Sequence, residues 1–301
     1  MVPRMHVLVT GSSGLVGGAL VKKLSAQGHQ ITRLVRRTPR PGEIHWNPDA
    51  GTIEAASLEQ LDAVVHLAGA GIGDHRWTPD YKRTLVESRT KGTGVIARTI
   101  AALEHKPSVL LSASAVGYYG DTGDHEVDET SPAGAGFLAD LCVQWEQATA
   151  PAEAAGVRVA HLRTGIVLSD RGGALKKQLP LFKLGLGGRI GSGKPWQSWI
   201  TLDDEVGAII HLLTSSHAGA VNLTAPNPVT QADFADELGR ALHRPTILPI
   251  PSFGPKLLLG GELVDNLLLA GQRVLPSVLL ADGYNFQHPT LSGAFAGMFR
   301  G

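Results

Sequence analysis

The sequence predicts an α/β protein, a doubly wound parallel sheet with a smaller C-terminal lobe. Three observations predict it. Over the first 165 residues, short β-branched runs alternate with helical stretches, the pattern of parallel strands joined by crossover helices. Glycine is abundant, at 37 of 301 residues, while aromatics are only 5%, which suits a fold built on glycine loops. The first glycine cluster, Thr10-Gly11-Ser12-Ser13-Gly14-Leu15-Val16-Gly17, directly follows a strand pattern and opens a helical one.

In chain order, strands are expected at His6–Thr10, Gln30–Val35, Ala63–Leu67, Ser108–Ser112 and Val157–Leu162. Between the first two, Val16, Ala19, Leu20 and Leu24 recur at helical spacing and Gly28 supplies the stop. Pro79 to Leu103 is long enough for a helix, with Leu85, Ile96 and Ile100 as its core contacts. Beyond residue 165 glycines crowd around one helix, Ala174–Leu184, and a second helix covers Leu202–Thr214. Val221–Leu223 would return to the sheet. Thr230 caps a helix running to Leu242, with Asp233 as the acidic partner three residues on. From Pro251 the tail reads as short helices near Leu257–Leu259, Leu263–Leu269 and Ser277–Ala281. The expected division is residues 1–165, with about 200–225 returning to them, and residues 166–301.

Composition excludes several classes. Lys plus Arg number 27 and Asp plus Glu 27, so the formal charge is zero, which argues against a general nucleic-acid or anionic-membrane binder. One cysteine, Cys142, rules out an internal disulfide and a multi-cysteine metal site, and the 12 histidines lack metal-ligand spacing; no metal is expected. The apolar stretch Leu257 to Ala281 is interrupted by Glu262, Asp265 and Arg273, which suits packed helices better than a span of ~20 apolar residues. Without a targeting segment, a cytoplasmic protein is the expectation. Residues 1–4 read as an extension or an alternative start before Met5.

The glycine cluster has a physical logic. Gly11 permits a tight turn, Gly14 lets backbone approach a pyrophosphate, and Gly17 allows close packing of helix on strand. Free N–H groups of the helix N-terminus then face the phosphates. The second strand ends in Arg36-Arg37, and Arg36 lies nineteen residues past Gly17. An acidic residue there would bind a ribose 2′-hydroxyl, whereas arginine suits a 2′-phosphate. NADP is therefore favoured over NAD, the bland alternative being two ordinary exposed arginines.

The chain resembles the extended short-chain dehydrogenase/reductases, which implies a Rossmann sheet. Asp62 to Gly69, Gly92-Thr93 and the acidic stretch Glu126 to Pro132 look like motifs of that superfamily. More narrowly it is similar to an atypical branch called epimerase family proteins. Ser112 to Gly120, Trp145-Glu146, Arg163 to Leu168, Leu184 to Gly193, Trp199 to Asp204 and a terminal helical segment from Pro249 carry that likeness. The resemblance implies NADP (NADPH) contacts from Arg36, Arg37, Leu67, Ala68, Gly69 and Arg89. Arg89 would reach a phosphate or else form a surface ion pair.

Ordinary members pair a tyrosine with a lysine four residues later, the lysine lowering the tyrosine pKa for proton exchange. Here the tyrosines are Tyr81, Tyr118, Tyr119 and Tyr284, and none has a lysine four residues on. Where the pair should sit the chain reads Gly136 to Glu146, without tyrosine or lysine. Of three readings, nothing in the neutral, unpatterned composition favours an assembly partner with a vestigial site, which leaves two. In one, an NADP-linked oxidoreductase or epimerase acts on a small carbonyl or hydroxyl compound, with Tyr118 or Tyr119 as proton donor and Ser114 as its partner. In the other, the protein binds NADP as a redox sensor or regulator without turnover. The two tyrosines would then pack or line a pocket passively. Asp140 reads as an exposed helix position and Cys142 as a small core residue. Arg163 is balanced between substrate contact and ion pair. Arg189, Lys194, Trp196, Gln197 and Trp199 would line a loop over the substrate, unless Trp199 anchors that loop to the core. The expected partner is a small molecule, not nucleic acid or membrane, and a homodimer is left open.

Overall fold

The computed structural model describes residues 4–54 and 58–299; residues 1–3 of the expected extension lie outside them. Strand β1 (His6–Thr10) leads into helix α1 (Leu15–Ala26), then β2 (Gln30–Val35), β3 (Glu43–Asn47), β4 (Thr52–Ile53) and β5 (Ala63–His66). Helix α2 (Pro79–Ala102), β6 (Val109–Ala115), a 3-10 turn (Val116–Tyr119), β7 (Glu126–Val127), α3 (Phe137–Gln147) and α4 (Ala150–Ala154) follow. Next come β8 (Arg158–Thr164), β9 (Ile166–Leu168), α5 (Gly173–Lys183), β10 (Trp196–Gln197), β11 (Trp199–Thr201) and α6 (Leu202–Thr214). The chain closes with β12 (Gly219–Leu223), β13 (Val229–Thr230), α7 (Gln231–Ala241), α8 (Phe253–Leu259), α9 (Gly261–Leu267), β14 (Arg273–Val274), α10 (Ser277–Ala281) and α11 (Leu291–Phe299).

The large sheet has eight strands in the order β12-β8-β6-β5-β1-β2-β3-β4. All its pairings are parallel except β3 with β4. This is the doubly wound α/β sheet that the sequence predicts. Its central strands are apolar on both faces because helices cover both. Val7 and Val9 of β1 face one core with Leu20, Leu24, Val206 and Ile209. Leu8 faces the other, with Leu34, Ile96 and Ile100. Leu85, predicted to share that core, is buried instead with Trp77, Leu141, Leu263 and Val264.

The C-terminal lobe has its own core, in which Phe182, Trp199, Phe234, Leu238, Leu291 and Phe295 are buried together. Trp199 is fully enclosed and its Nε1 donates to the Asn227 carbonyl at 3.0 Å, so it anchors the loop rather than facing a ligand. Capping matches the sequence reading: Thr230 accepts from Asp233 N while the Asp233 side chain accepts from the Thr230 backbone.

Edge strands β3 and β4 and helix α11 were not anticipated. In β3 only Ile44 and Trp46 are buried, a two-residue alternation bounded by polar positions that composition alone renders as loop. No helix among the described residues is long and apolar enough to cross a membrane.

Candidate functional site

The carboxyl ends of β1, β2, β5, β6 and β8 point to one side of the sheet, and the glycine turn, Arg36-Arg37, Leu67–Gly69, Ser114 and Arg163 lie there. Gly11 has φ +64°, and a Cβ built on it would sit 2.7 Å from the Leu67 carbonyl. At Gly17 a Cβ would lie 2.3 Å from the Gly11 carbonyl oxygen. Each position therefore excludes a side chain for a different reason, and together they hold the turn against β5. Gly14 is the N-cap of α1 and offers no side-chain bond to the first turn, which carries no acidic residue. With Ser12, Ser13, Leu15 and Val16, the turn keeps backbone donors available for an anion.

Thr10 ties the second loop of the cleft to the first. Its Oγ1 accepts from Leu67 N at 3.0 Å and Ala68 N at 3.2 Å, and lies 2.8 Å from His66 Nδ1. Its own proton thus goes to Nδ1, which assigns the remaining proton of His66 to Nε2. Burial pushes the His66 pKa down to about 4, so the ring stays neutral.

The predicted cations divide. Arg37 donates to Glu43 at 2.6 Å, whereas Arg36 is exposed and has no ion-pair partner among the described residues. Arg89 is no surface ion pair: it is buried beside Gly69, donates from Nη1 to the Leu85 carbonyl at 3.1 Å, and stacks 4.9 Å from the Trp145 ring centre. Burial lowers its pKa, and no carboxylate among the described residues lies within ion-pair reach. A buried guanidinium without a counter-charge is costly unless an anion arrives.

At the end of β6 the face of α3 that meets Ser114 carries Leu138, Cys142 and Glu146. Leu138 packs on Gly117, and Cys142 Sγ donates to the Ala115 carbonyl at 3.6 Å. Burial pushes the Cys142 thiol up to about 11, so it is a small core residue, while Asp140 points to solvent. Ser114 Oγ donates to Glu146 Oε1 at 2.7 Å. Arg163 grips the same carboxylate with Nε and Nη2 at 2.8 and 2.9 Å, a bidentate pair. Burial pushes the Glu146 carboxyl up, but the Arg163 and Ser114 bonds outweigh it and leave it below its usual value. Arg163 is thus an ion-pair residue, one of the two alternatives in the sequence.

Arg163 also separates the two tyrosines. Its Nη1 donates to Tyr119 Oη at 3.1 Å, and that hydroxyl donates to Asn222 Oδ1 at 2.7 Å. Tyr119 is buried and its pKa raised, chiefly by that burial. Tyr118 instead lays its half-buried ring against the guanidinium, 3.4 Å from carbon to ring centre. Its hydroxyl has no partner among the described residues. Sequence reasoning gave no role to Glu146, Asn222 or Leu138; the four-residue spacing of 138, 142 and 146 was the available signal for one helix face. In the segment expected over the substrate, Trp196 donates to Asp124 at 2.9 Å and Arg273 stacks on it. Arg189 and Lys194 are exposed and Gln197 is half-buried. No cluster of three or more potential metal ligands occurs among the described residues.

A Gly-turned helix N-terminus on a parallel sheet, with a serine at the end of a central strand, defines a nucleotide-binding enzyme-like cleft. Residues 7–224 match the NAD dependent epimerase/dehydratase family, and the chain belongs to that family. Residues 250–297 match a domain of unknown function, DUF1731. Within the family its relatives are named epimerase family proteins. One from Mycobacterium bovis is 47% identical over 96% of this chain and 95% of its own length. The human relative, SDR39U1, is 37% identical over 96% of this chain and 98% of its own. The crystal structure of human SDR39U1 (isoform 2) with NADPH superposes at a TM-score of 0.90 and 35% identity, covering 98% of this chain and 99% of that one. A nucleoside-diphosphate sugar epimerase from Corynebacterium glutamicum gives 0.80 at 37% identity, over 99% of this chain and 58% of the other.

Proposed function

We propose that this protein binds NADP(H) and exchanges a hydride with a small carbonyl or hydroxyl substrate, using Tyr118 and Ser114 in place of a tyrosine–lysine pair. Two guanidinium groups without carboxylate partners among the described residues, exposed Arg36 and buried Arg89, carry the cofactor reading together with the glycine turn. The human relative's NADPH complex supports it. Gly11 to Gly17 would hold the pyrophosphate, Leu67 to Gly69 the adenine side, Arg36 and Arg37 the 2′-phosphate, and Arg89 a further phosphate. Bound NADPH supplies the hydride.

The chain's own residues then handle the proton. Ser114 has its single proton on Glu146, so its remaining lone pairs accept a hydrogen bond from a substrate hydroxyl rather than donate to a carbonyl. Tyr118 has the phenol left free to exchange a proton with the reacting oxygen, whereas the Tyr119 hydroxyl is already engaged. Tyr118→Phe is expected to lower turnover by roughly 10²- to 10⁴-fold with NADPH affinity intact. Tyr119→Phe should act mainly on stability. Equal turnover in Tyr118→Phe and the parent would remove the phenol from the chemistry.

The first experiment is titration with NADPH and NADH. Arg36→Ala with Arg37→Ala should weaken NADPH by roughly 10- to 100-fold, the worth of charge-assisted bonds to one phosphate, and leave NADH unchanged. Equal losses for both, or none, would refute the phosphate clamp. The apolar Leu138 and Cys142, standing on the helix face toward Ser114, favour a second reading: a cofactor-binding regulator. Tight NADPH binding without oxidation over a broad carbonyl panel would select it.

A further inference from the structure

The zero net charge conceals a strong segregation on the C-terminal lobe. Ten large apolar side chains are exposed among the described residues, and nine lie within 181–186 and 247–259. Ile247 is 86% exposed, and Phe253, Leu257 and Leu258 are 72–75%. Helix α8 buries no side chain. The two segments form one continuous face: Ile250 N donates to the Arg189 carbonyl at 2.8 Å, Gly191 N to the Ile250 carbonyl at 3.0 Å, and Arg244 Nε to the Lys183 carbonyl at 2.7 Å.

Within the two stretches that build this face the charge has one sign. No Asp or Glu occurs between Asp170 and Asp203, nor between Glu237 and Glu262, although these stretches carry nine Lys and Arg. Lys177, Arg240 and Lys256 are paired with carboxylates from outside them. Lys183, Arg189 and Arg244 have no carboxylate partner among the described residues. Apolar patches of this extent mark interaction sites.

We propose that this face docks on an anionic lipid bilayer, with α8 and the neighbouring leucines entering the headgroup boundary and the unpaired cations facing the lipid phosphates. Apolar residues rimmed by cations are what such a surface attracts. A second copy of the chain fits less well. In a two-fold dimer the patch meets itself, setting Lys183, Arg189 and Arg244 against like charges.

Flotation of the full-length protein with vesicles tests this. Vesicles of equal parts phosphatidylcholine and phosphatidylglycerol should capture at least roughly tenfold more protein than phosphatidylcholine alone, with capture falling as salt rises. Leu257→Asp with Leu258→Asp, and separately Lys183→Glu with Arg244→Glu, should abolish capture while circular dichroism and NADPH binding stay unchanged. No capture by either vesicle, or equal capture of parent and variants, would overturn the proposal. So would a parent dimer in solution that the Asp variants split, since that assigns the face to a second copy.

Discussion

Glu146→Leu is expected to lower stability by about 3–5 kcal/mol, the cost of stranding one member of a buried ion pair. The Arg163 and Glu146 side chains are 5% and 11% exposed, so water reaches the abandoned guanidinium poorly. The same change frees the Ser114 proton and loosens Tyr119, because Arg163 bonds to both Glu146 and Tyr119. Adding Arg163→Met should recover much of the stability, since the unpaired charge is gone. It should not recover turnover, because Ser114 still lacks its acceptor. Urea unfolding of the single and double variants reads the first effect, and NADPH oxidation the second. A single-variant loss below about 1 kcal/mol, the worth of an exposed pair, would show that the pair is solvated in solution.

The second large effect concerns Glu205 in the first turn of α6. Its side chain is buried, Oε1 accepts from Thr164 Oγ1 at 2.9 Å, and Oε2 has no hydrogen-bond partner among the described residues. Burial pushes this carboxyl from its usual 4.5 up to about 8. The folded state therefore holds a proton that the unfolded chain releases. Stability is greatest below the unfolded value, falls as pH rises from about 4.5, and levels off above the folded value near 8. Between about pH 5 and 7.5 the loss from this one group is about 3 kcal/mol. Glu205→Gln keeps an acceptor for Thr164 and has no proton to lose. It should be more stable than the parent at pH 8 and no more stable at pH 5, measured by urea unfolding at each pH. The difference between the two proteins isolates Glu205 from every other titrating group, and parallel pH profiles would sink the assignment.

Much of the cofactor cleft was readable because its signals are local. The turn from Gly11 to Gly17 needs only glycine at two crowded positions, and the cap of α7 needs only Thr230 and Asp233. The bounds of α6 also matched the periodicity of Leu202 to Thr214. Less was readable at the edges and at the reacting end. The strand β3 is half-covered and alternates polar with apolar, so it lacks the apolar run that marked β1. The sequence leaves Arg89 open between a phosphate contact and a surface ion pair, and only α3, which brings Trp145 across it, removes the second. Tyr118 and Tyr119 are adjacent, and nothing in their sequence says that only one is locked by Asn222, which is 103 residues away.

By itself the sequence determined the parallel sheet, the glycine turn after β1 and the absence of a tyrosine–lysine pair, because residue type and short spacing decide all three. Tertiary structure alone decided that Ser114 gives its proton to Glu146, that Arg163 is paired, and that nine exposed apolar side chains share one cation-rimmed face. Those outcomes depend on which distant segments meet and what water they exclude, and chain proximity encodes neither.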